Sequence, residues 1–521
     1  LNHLAIAIEH YWKGEKMKRR DFLKLGAAGV ATLLVGSRIP FVGVKDAFAA
    51  THTLDITITD CIREMVTYNS INTGATCYYW IYKVKVDGAV DVPAEYPGPT
   101  IVMYKGDTVT VNITNNLDEP HSFYIPGQFD SGPIAPGATR TGMTLTAGQV
   151  GAFLYHDNLN APVNRVMGLH GAMLVLPTVP VPGHKLTPYE NPTPHVQALY
   201  DSFGDPDVFP GLAWGEGAGT PPVGTYGTPG YVPPSADYAP ACRQYCWITS
   251  QSSPNLFAEV GNYAPGLDYP PSQFLQKFLR DPFSPTRQNN IPQYFTVNGQ
   301  SGFFAHFSPE VTPMARVGEP CVIHLMNAGL WTHSMHIHAN HIYVTSVNGV
   351  VSDNPVWVDV YKLRPMDLID YTLPFMRPPD IPNIRGIGRP DTPRVGTVSG
   401  KPVYPPSEEV DVYIPAPGQS KAKDANGVEI DLMQRQSPLC YPMHDHSEPS
   451  QGAQGGNYNC GLISGMYVIG DRNTLYNDPV KGLTMNFPMD HDFEMMYRYV
   501  RGCSDGDFCD EAAGPRPEMP M

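Results

Sequence analysis

The sequence predicts an all-β chain of two sandwich domains, residues 51–177 and 291–475, joined by a long Pro/Gly-rich connector at 178–290. Three observations carry that expectation. Short β-rich runs alternate apolar and polar residues, and the same order of runs and histidines occurs twice. The chain also holds 54 prolines and 49 glycines, a composition of turns and loops rather than long helices.

Residues 1–49 are expected to stand outside the fold. Lys13-Gly14-Glu15-Lys16 can be encoded by a purine-rich ribosome-binding sequence, which places the start at Met17 and makes residues 1–16 a misread leader. Lys18-Arg19-Arg20-Asp21-Phe22-Leu23-Lys24 then precedes an apolar run from Leu25 to Gly36 and an Ala47-Phe48-Ala49 cleavage triplet. That run is too short to span a bilayer, and the arginine pair reads as a twin-arginine export signal. The mature protein is therefore expected in the periplasm or outside the cell, without a membrane span.

The two halves align. Thr100–Leu117 and Met314–Leu330 each carry a Gly-centred turn before a β-rich run. Each is followed by a histidine, in Pro120-His121-Ser122-Phe123 and Thr332-His333-Ser334-Met335. Tyr155-His156-Asp157 then matches Met443-His444-Asp445, and the strands GLHGAMLVLP and GLISGMYVIG superimpose without a gap. This is an internal repeat of two sandwiches. Residues 178–290, dominated by Pro, Gly and Tyr, are expected to wrap the domains as an extended connector, and 476–521 form a C-terminal tail.

Function is expected where histidines recur at strand spacing. Side chains at i and i+2 of a strand share a face, so His336 with His338, and His444 with His446, can each present two imidazoles to one metal. His170 and His341 follow no ligand spacing, and His52, His184, His195, His306, His324 and His491 are given no role.

On WTHSMHIHANH and PMHDH the chain resembles the multicopper oxidase superfamily, nearest in layout to two-domain small laccases and copper nitrite reductases. The resemblance implies two cupredoxin-like Greek-key sandwiches. It implies an interdomain copper site of His336, His338, His444 and His446 with His156 from the first domain. Tyr124 and Pro126 stand where the family has two further ligands and Asn158 where it has another, so five imidazoles remain, suited to one or two ions. Tyr124 and Asn158 are candidates for lining the site. Copper follows from the family, while zinc, iron or manganese would also accept these ligands.

The family's electron-entry (type 1) copper needs a cysteine between two histidines. Here the corresponding residues are His121, Asp157, Asn164 and Leu169 in the first domain and His333, Asp445, Asn457 and Leu462 in the second. Neither set holds a thiolate. The favoured reading is a buried polar network in which each Asp accepts hydrogen bonds from its His and Asn. A hard-cation site is the alternative. The expected function is a copper oxidoreductase of one- or two-electron chemistry without a blue copper centre, its substrate and redox partner unspecified. A copper-binding or delivery protein and a non-catalytic scaffold are the alternatives; two-domain relatives imply a homotrimer and longer relatives a site within one chain, and the connector is long enough for either.

Charge and cysteines set the remaining limits. Loss of residues 1–49, with eight basic and four acidic residues, takes the formal charge from −15 to −19. Such a chain, with no basic run, has no electrostatic case for nucleic acid or an anionic membrane. All nine cysteines follow the cleavage site, where disulfides are the default. Cys440 with Cys460 and Cys503 with Cys509 are candidate pairs, and Cys321 is expected as a buried free thiol.

Overall fold

The computed structural model describes residues 52–65, 75–88, 95–177, 181–202, 242–279, 294–306, 308, 311–317, 320–338, 340–373, 421–423, 429–431, 439–447, 450, 460–471, 476–478 and 483–485. The first sandwich contains β1 (His52–Met65), β2 (Ala75–Val86), β3 (Gly98–Tyr104), β4 (Thr108–Asn115), β5 (Tyr124–Ile125), β6 (Phe129–Asp130), β7 (Thr139–Thr146), β8 (Gly151–His156) and β9 (His170–Leu176). One sheet runs β2-β1-β4-β7 and the other β3-β9-β8-β5-β6. Alternation decides β1, where Leu54, Ile56 and Ile58 are buried while their neighbours are not. Tyr82, Phe123 and Tyr155 meet edge-on or tilted in the core, with ring centroids 5.0–5.6 Å apart.

The second sandwich begins earlier than its sequence suggests. It contains β10 (Arg243–Ser252), β11 (Tyr294–Val297), β12 (Met314–Val317), β13 (Cys321–Asn327), β14 (Met335–Ile337), β15 (Ile342–Val347), β16 (Val350–Val358) and β17 (Leu368–Leu373). The chain goes on through the small ribbon β18 (Lys421–Lys423) and β19 (Glu429–Asp431) to β20 (Leu439–Asp445) and β21 (Ile463–Asp471). The sheets run β11-β10-β13-β17-β15-β16 and β12-β21-β20-β14. β10 pairs antiparallel with β11 and parallel with β13, as β1 pairs with β2 and β4. The repeat is therefore structural as well as sequential.

This corrects the reading of 178–290 as an extended connector. Arg243–Ser252 is an interior strand, and its run RQYCWITSQS hides that because both faces are covered and polar residues satisfy one another inside. Ser250 Oγ lies 2.8 Å from Thr296 Oγ1, and Asn298 Oδ1 accepts from the Ile248 amide at 2.9 Å. Helices Pro254–Gly261 and Pro271–Phe278 also lie in this segment, each with proline in its first turn, where the missing N–H costs nothing. Their Phe257, Phe274 and Phe278 join the first-domain core.

Two kinds of contact join the sandwiches. Val102, Leu154, Ala172 and Leu174 of the first pack on Cys246, Ile248, Met326 and Ala328 of the second. Beside this apolar patch, Tyr79 Oη donates to Ser252 Oγ at 2.7 Å, and Tyr96 Oη lies 2.6 Å from Ser250 Oγ. Cys321 is fully buried, and no disulfide is formed among the described residues. Cys503, Cys509 and the Cys440 side chain lie outside them.

Gly168 carries a local demand of this fold. Its φ is +125°, and a Cβ there would sit 2.4 Å from the Trp80 carbonyl oxygen. The Trp80 amide meanwhile bonds the Met167 carbonyl at 3.0 Å, so the strand cannot draw back cheaply. Gly168→Ala is expected to destabilise the protein by roughly 1–3 kcal/mol, read as a lower denaturation midpoint.

Candidate metal centre

Strand alternation divides the PMHDH cluster. In β20, Met443 and Asp445 point inward and are fully buried, while His444 and His446 point outward. The neighbouring β14 does the same, burying Met335 and Ile337 and presenting His336. The two strands are antiparallel with His336 directly opposite His444. Backbone bonds from His338 N to Pro442 O, 2.9 Å, and from His446 N to Ser334 O, 3.0 Å, extend the pairing at both ends.

Four imidazoles therefore converge on one partly exposed face. Ligand nitrogens of His336, His444 and His446 all lie within 4.8 Å of one another. His338 Nε2 is 2.8 Å from His444 Nε2, and the His336 and His446 ring centroids are 4.7 Å apart. His336 Nδ1 bonds the Asp359 carbonyl and His444 Nδ1 the Asp445 carbonyl, both at 3.1 Å. That fixes the proton on Nδ1 and leaves Nε2 as a lone-pair donor, the arrangement that orients a metal-ligating histidine. Burial and the neighbouring imidazoles push His336 and His338 below the usual histidine range, keeping them neutral as ligands must be. The donor set fits a transition-metal ion.

The fifth residue of the expected set lies apart. His156 ends β8, opposite Tyr124 of β5 on one side and His170 of β9 on the other. Its Nδ1 bonds the Leu154 carbonyl at 3.1 Å, and its ring meets Tyr124 edge-on at 5.4 Å. Among the described residues, no hydrogen bond or ring contact joins His156 to the four histidines of the second domain. Asn158 is exposed, and its backbone N–H donates to Ser122 Oγ at 3.1 Å.

The two sets without thiolate are hydrogen-bonded networks. Asp157 Oδ2 accepts from His121 Nδ1 at 2.7 Å and Asn164 Nδ2 at 3.0 Å; Oδ1 accepts from Ser122 Oγ at 2.7 Å and Leu159 N at 2.8 Å. The carboxylate is thereby saturated. In the second domain, His333 Nδ1 donates to Asp445 Oδ2 and Ser334 N to Asp445 Oδ1, both at 2.6 Å, and Ser450 Oγ adds a further bond. Leu169 and Leu462 are buried beside these networks, while Asn457 lies outside the described residues. Burial alone would raise the Asp445 carboxyl, but the bond and charge of His333, with Ser450 and Ser334 N, hold it below the usual carboxylate range.

Sequence reasoning missed three supporting residues. Ser122 and Ser334 each follow the histidine in the repeat, so their recurrence was a usable signal. Gln251 gave none, because it comes from the segment read as connector. Its Oε1 accepts from Leu330 N at 2.7 Å, so its Nε2 is the donor to His333 Nε2 at 2.9 Å.

Residues 79–179 match the family model of multicopper oxidases. That match covers most of the first sandwich. Laccase-22 of Oryza sativa subsp. japonica is 30% identical over 121 residues, 21% of this chain and 20% of that protein. The chain thus spans about a fifth of the length of this curated relative. Among solved structures, the blue copper oxidase of Nitrosomonas europaea is similar at 16% identity and TM-score 0.42, covering 79% of this chain and 84% of its own. The copper nitrite reductase of the same organism is similar at 16% identity and TM-score 0.40, over 80% of this chain and 94% of its own. The matched stretch includes Asp157 and Asn164 and has no cysteine at either position.

Two variants separate the outward and inward residues of β20. His444→Ala is expected to cut copper affinity at least about 10-fold while leaving the denaturation midpoint nearly unchanged, by competition titration and unfolding. Asp445→Asn is expected to cost roughly 3–5 kcal/mol, because it breaks a buried pair and strands His333. The folded Asp445 lies below its unfolded value, so that cost is full above the unfolded carboxylate pKa of about 3.8. It should close as pH falls through the folded value, measured by urea unfolding across an acid series.

Proposed function

We propose that the protein is an exported copper-binding oxidoreductase of one- or two-electron chemistry, acting at His336, His338, His444 and His446. The convergence of these four imidazoles on one exposed face carries the reading. His338 Nε2 and His444 Nε2 lie 2.8 Å apart, in hydrogen-bond contact, and a shared ion would take the place of that contact.

A bound copper would supply one-electron redox chemistry and a Lewis acid. The chain's own residues do the rest. The Asp359 and Asp445 carbonyls hold the His336 and His444 rings by their Nδ1 protons, and β14 pairing fixes the spacing. With Asp157 and Asp445 where a thiolate would stand, electrons arrive from a bound reductant or docked partner rather than through a blue centre. His156, from a neighbouring copy in a homotrimer, completes the ligand set in this reading. The partial exposure of the second-domain histidines supports that role for an outside ligand. Twin-arginine export to the periplasm or beyond follows from the N-terminal segment. Among the described residues, no helix is long and apolar enough to cross a membrane.

The missing thiolates equally favour a second reading, copper binding or delivery without turnover. Copper-loaded mature protein is expected to hold one or two ions per chain, show a tetragonal cupric paramagnetic resonance spectrum, and lack intense absorption near 600 nm. Light scattering is expected to give a trimer that His156→Ala leaves assembled but poorer in copper. Turnover of a small reductant with uptake of oxygen or nitrite separates enzyme from carrier. A metal-free preparation after loading would sink both readings.

A further inference from the structure

We propose that the emptied first-domain copper position is a proton-binding latch: His121 is held as a buried imidazolium between Asp157 and Glu119, and this charge triad pins the segment that crosses to the second domain. His121 is 0% exposed and Glu119 4%. His121 Nδ1 sits 2.7 Å from Asp157 Oδ2, and His121 Nε2 sits 3.6 Å from Glu119 Oε2. Those last two atoms have no hydrogen-bond partner, so each is the other's nearest means of compensation.

The second domain shows why Glu119 matters. In the aligned repeat the residue two before the histidine is Glu119 in the first half and Trp331 in the second. There Gln251 Nε2 lies against His333 Nε2, so the far nitrogen of that ring faces an amide. Among the described residues His121 Nε2 has no such partner and faces a carboxylate instead. One ring stands between a carboxylate and an amide, the other between two carboxylates.

The surroundings of His121 decide which charges count. Trp80 from β2 lies edge-on to the ring at 5.1 Å and is uncharged. Asn164, from the turn Val163–Val166, donates to Asp157. Tyr82 stands near Asp157 and Tyr78 near Glu119, and burial raises both phenols, keeping them neutral. Burial by itself would strip the proton from His121, but the bond to Asp157 and the charges of Asp157 and Glu119 outweigh it and push the imidazole up. Loss of that proton leaves two carboxylates facing a neutral ring out of water.

The consequence runs along the chain. Asp157 also holds Leu159 N and Asn164, and the next residue, Arg165, reaches the second domain, where it touches Met366 Sδ and donates to Gly329 O at 3.5 Å. Because the folded His121 value is raised, its stabilisation is complete below the free-imidazole value of about 6.5 and fades as pH rises through the folded one. The latch should loosen on the alkaline side and take the Asp157–Leu169 segment with it.

The test uses the whole mature protein with isotope-labelled histidine, the His121 ring signals being assigned by their loss in His121→Gln. The expected result is a doubly protonated ring persisting above the free-imidazole value of about 6.5, with hydrogen exchange of amides 157–169 rising in the same step as the proton leaves. Glu119→Gln should lower that pH by one unit or more and shift the alkaline fall in Tm with it. A singly protonated His121 at pH 6, or Glu119→Gln with an unchanged titration, would overturn the proposal. So would zinc or copper that survives in His336→Ala/His444→Ala and vanishes in His121→Gln, since a metal ion would then occupy the place assigned to the proton. Should Glu119→Gln fail to fold, the wild-type titration and exchange profile alone decide. None of these readouts depends on metal at the second-domain histidines.

Discussion

The bond between Asp445 and His333 is the constraint on which the metal face depends. β20 has one buried and one open side, and a slip of a single residue would exchange them. Asp445 has a saturated partner set on the buried side only, so the register that satisfies it also sends His444 and His446 outward. A buried carboxylate thus positions a site it never touches. The same interaction in the first domain, Asp157 with His121, orients the end of β8 that carries His156.

Much of this was legible because it rests on period-two alternation. The clustering of His336, His338, His444 and His446 on one face was readable from spacing, and the Asp–His networks followed from the rule that buried polar groups need partners. What was not legible lies where alternation fails. β10 is covered on both faces, so its mixed run carries no period, and the start of the second sandwich was placed too late. Pro254 and Pro271 read as connector residues, although a proline in the first turn of a helix is as well placed as one in a loop.

Glu119 and Gln251 show a second limit. Gln251 completes the His333 environment from another part of the chain and Glu119 that of His121 from two residues before it, and no spacing pattern marks either one. Their difference is nonetheless what separates the two halves. The repeat fixed the Asp–His bond in both domains, while the far side of each ring was filled independently, by a carboxylate in one and an amide in the other.

The pairing order of the second sandwich has a consequence for synthesis. The first sandwich can close once β9 has emerged, because β3 and β4 find their parallel partners within the same stretch of chain. β12 cannot do so. Met314 pairs with Tyr467, so the strand waits for nearly the whole second half to be made. During vectorial synthesis the metal-face strand β14 therefore leaves the ribosome long before β20, its partner, exists. Ligand assembly is then a late, all-or-none event of the completed chain, and a truncated product ending before β20 would carry the first histidine pair without the second.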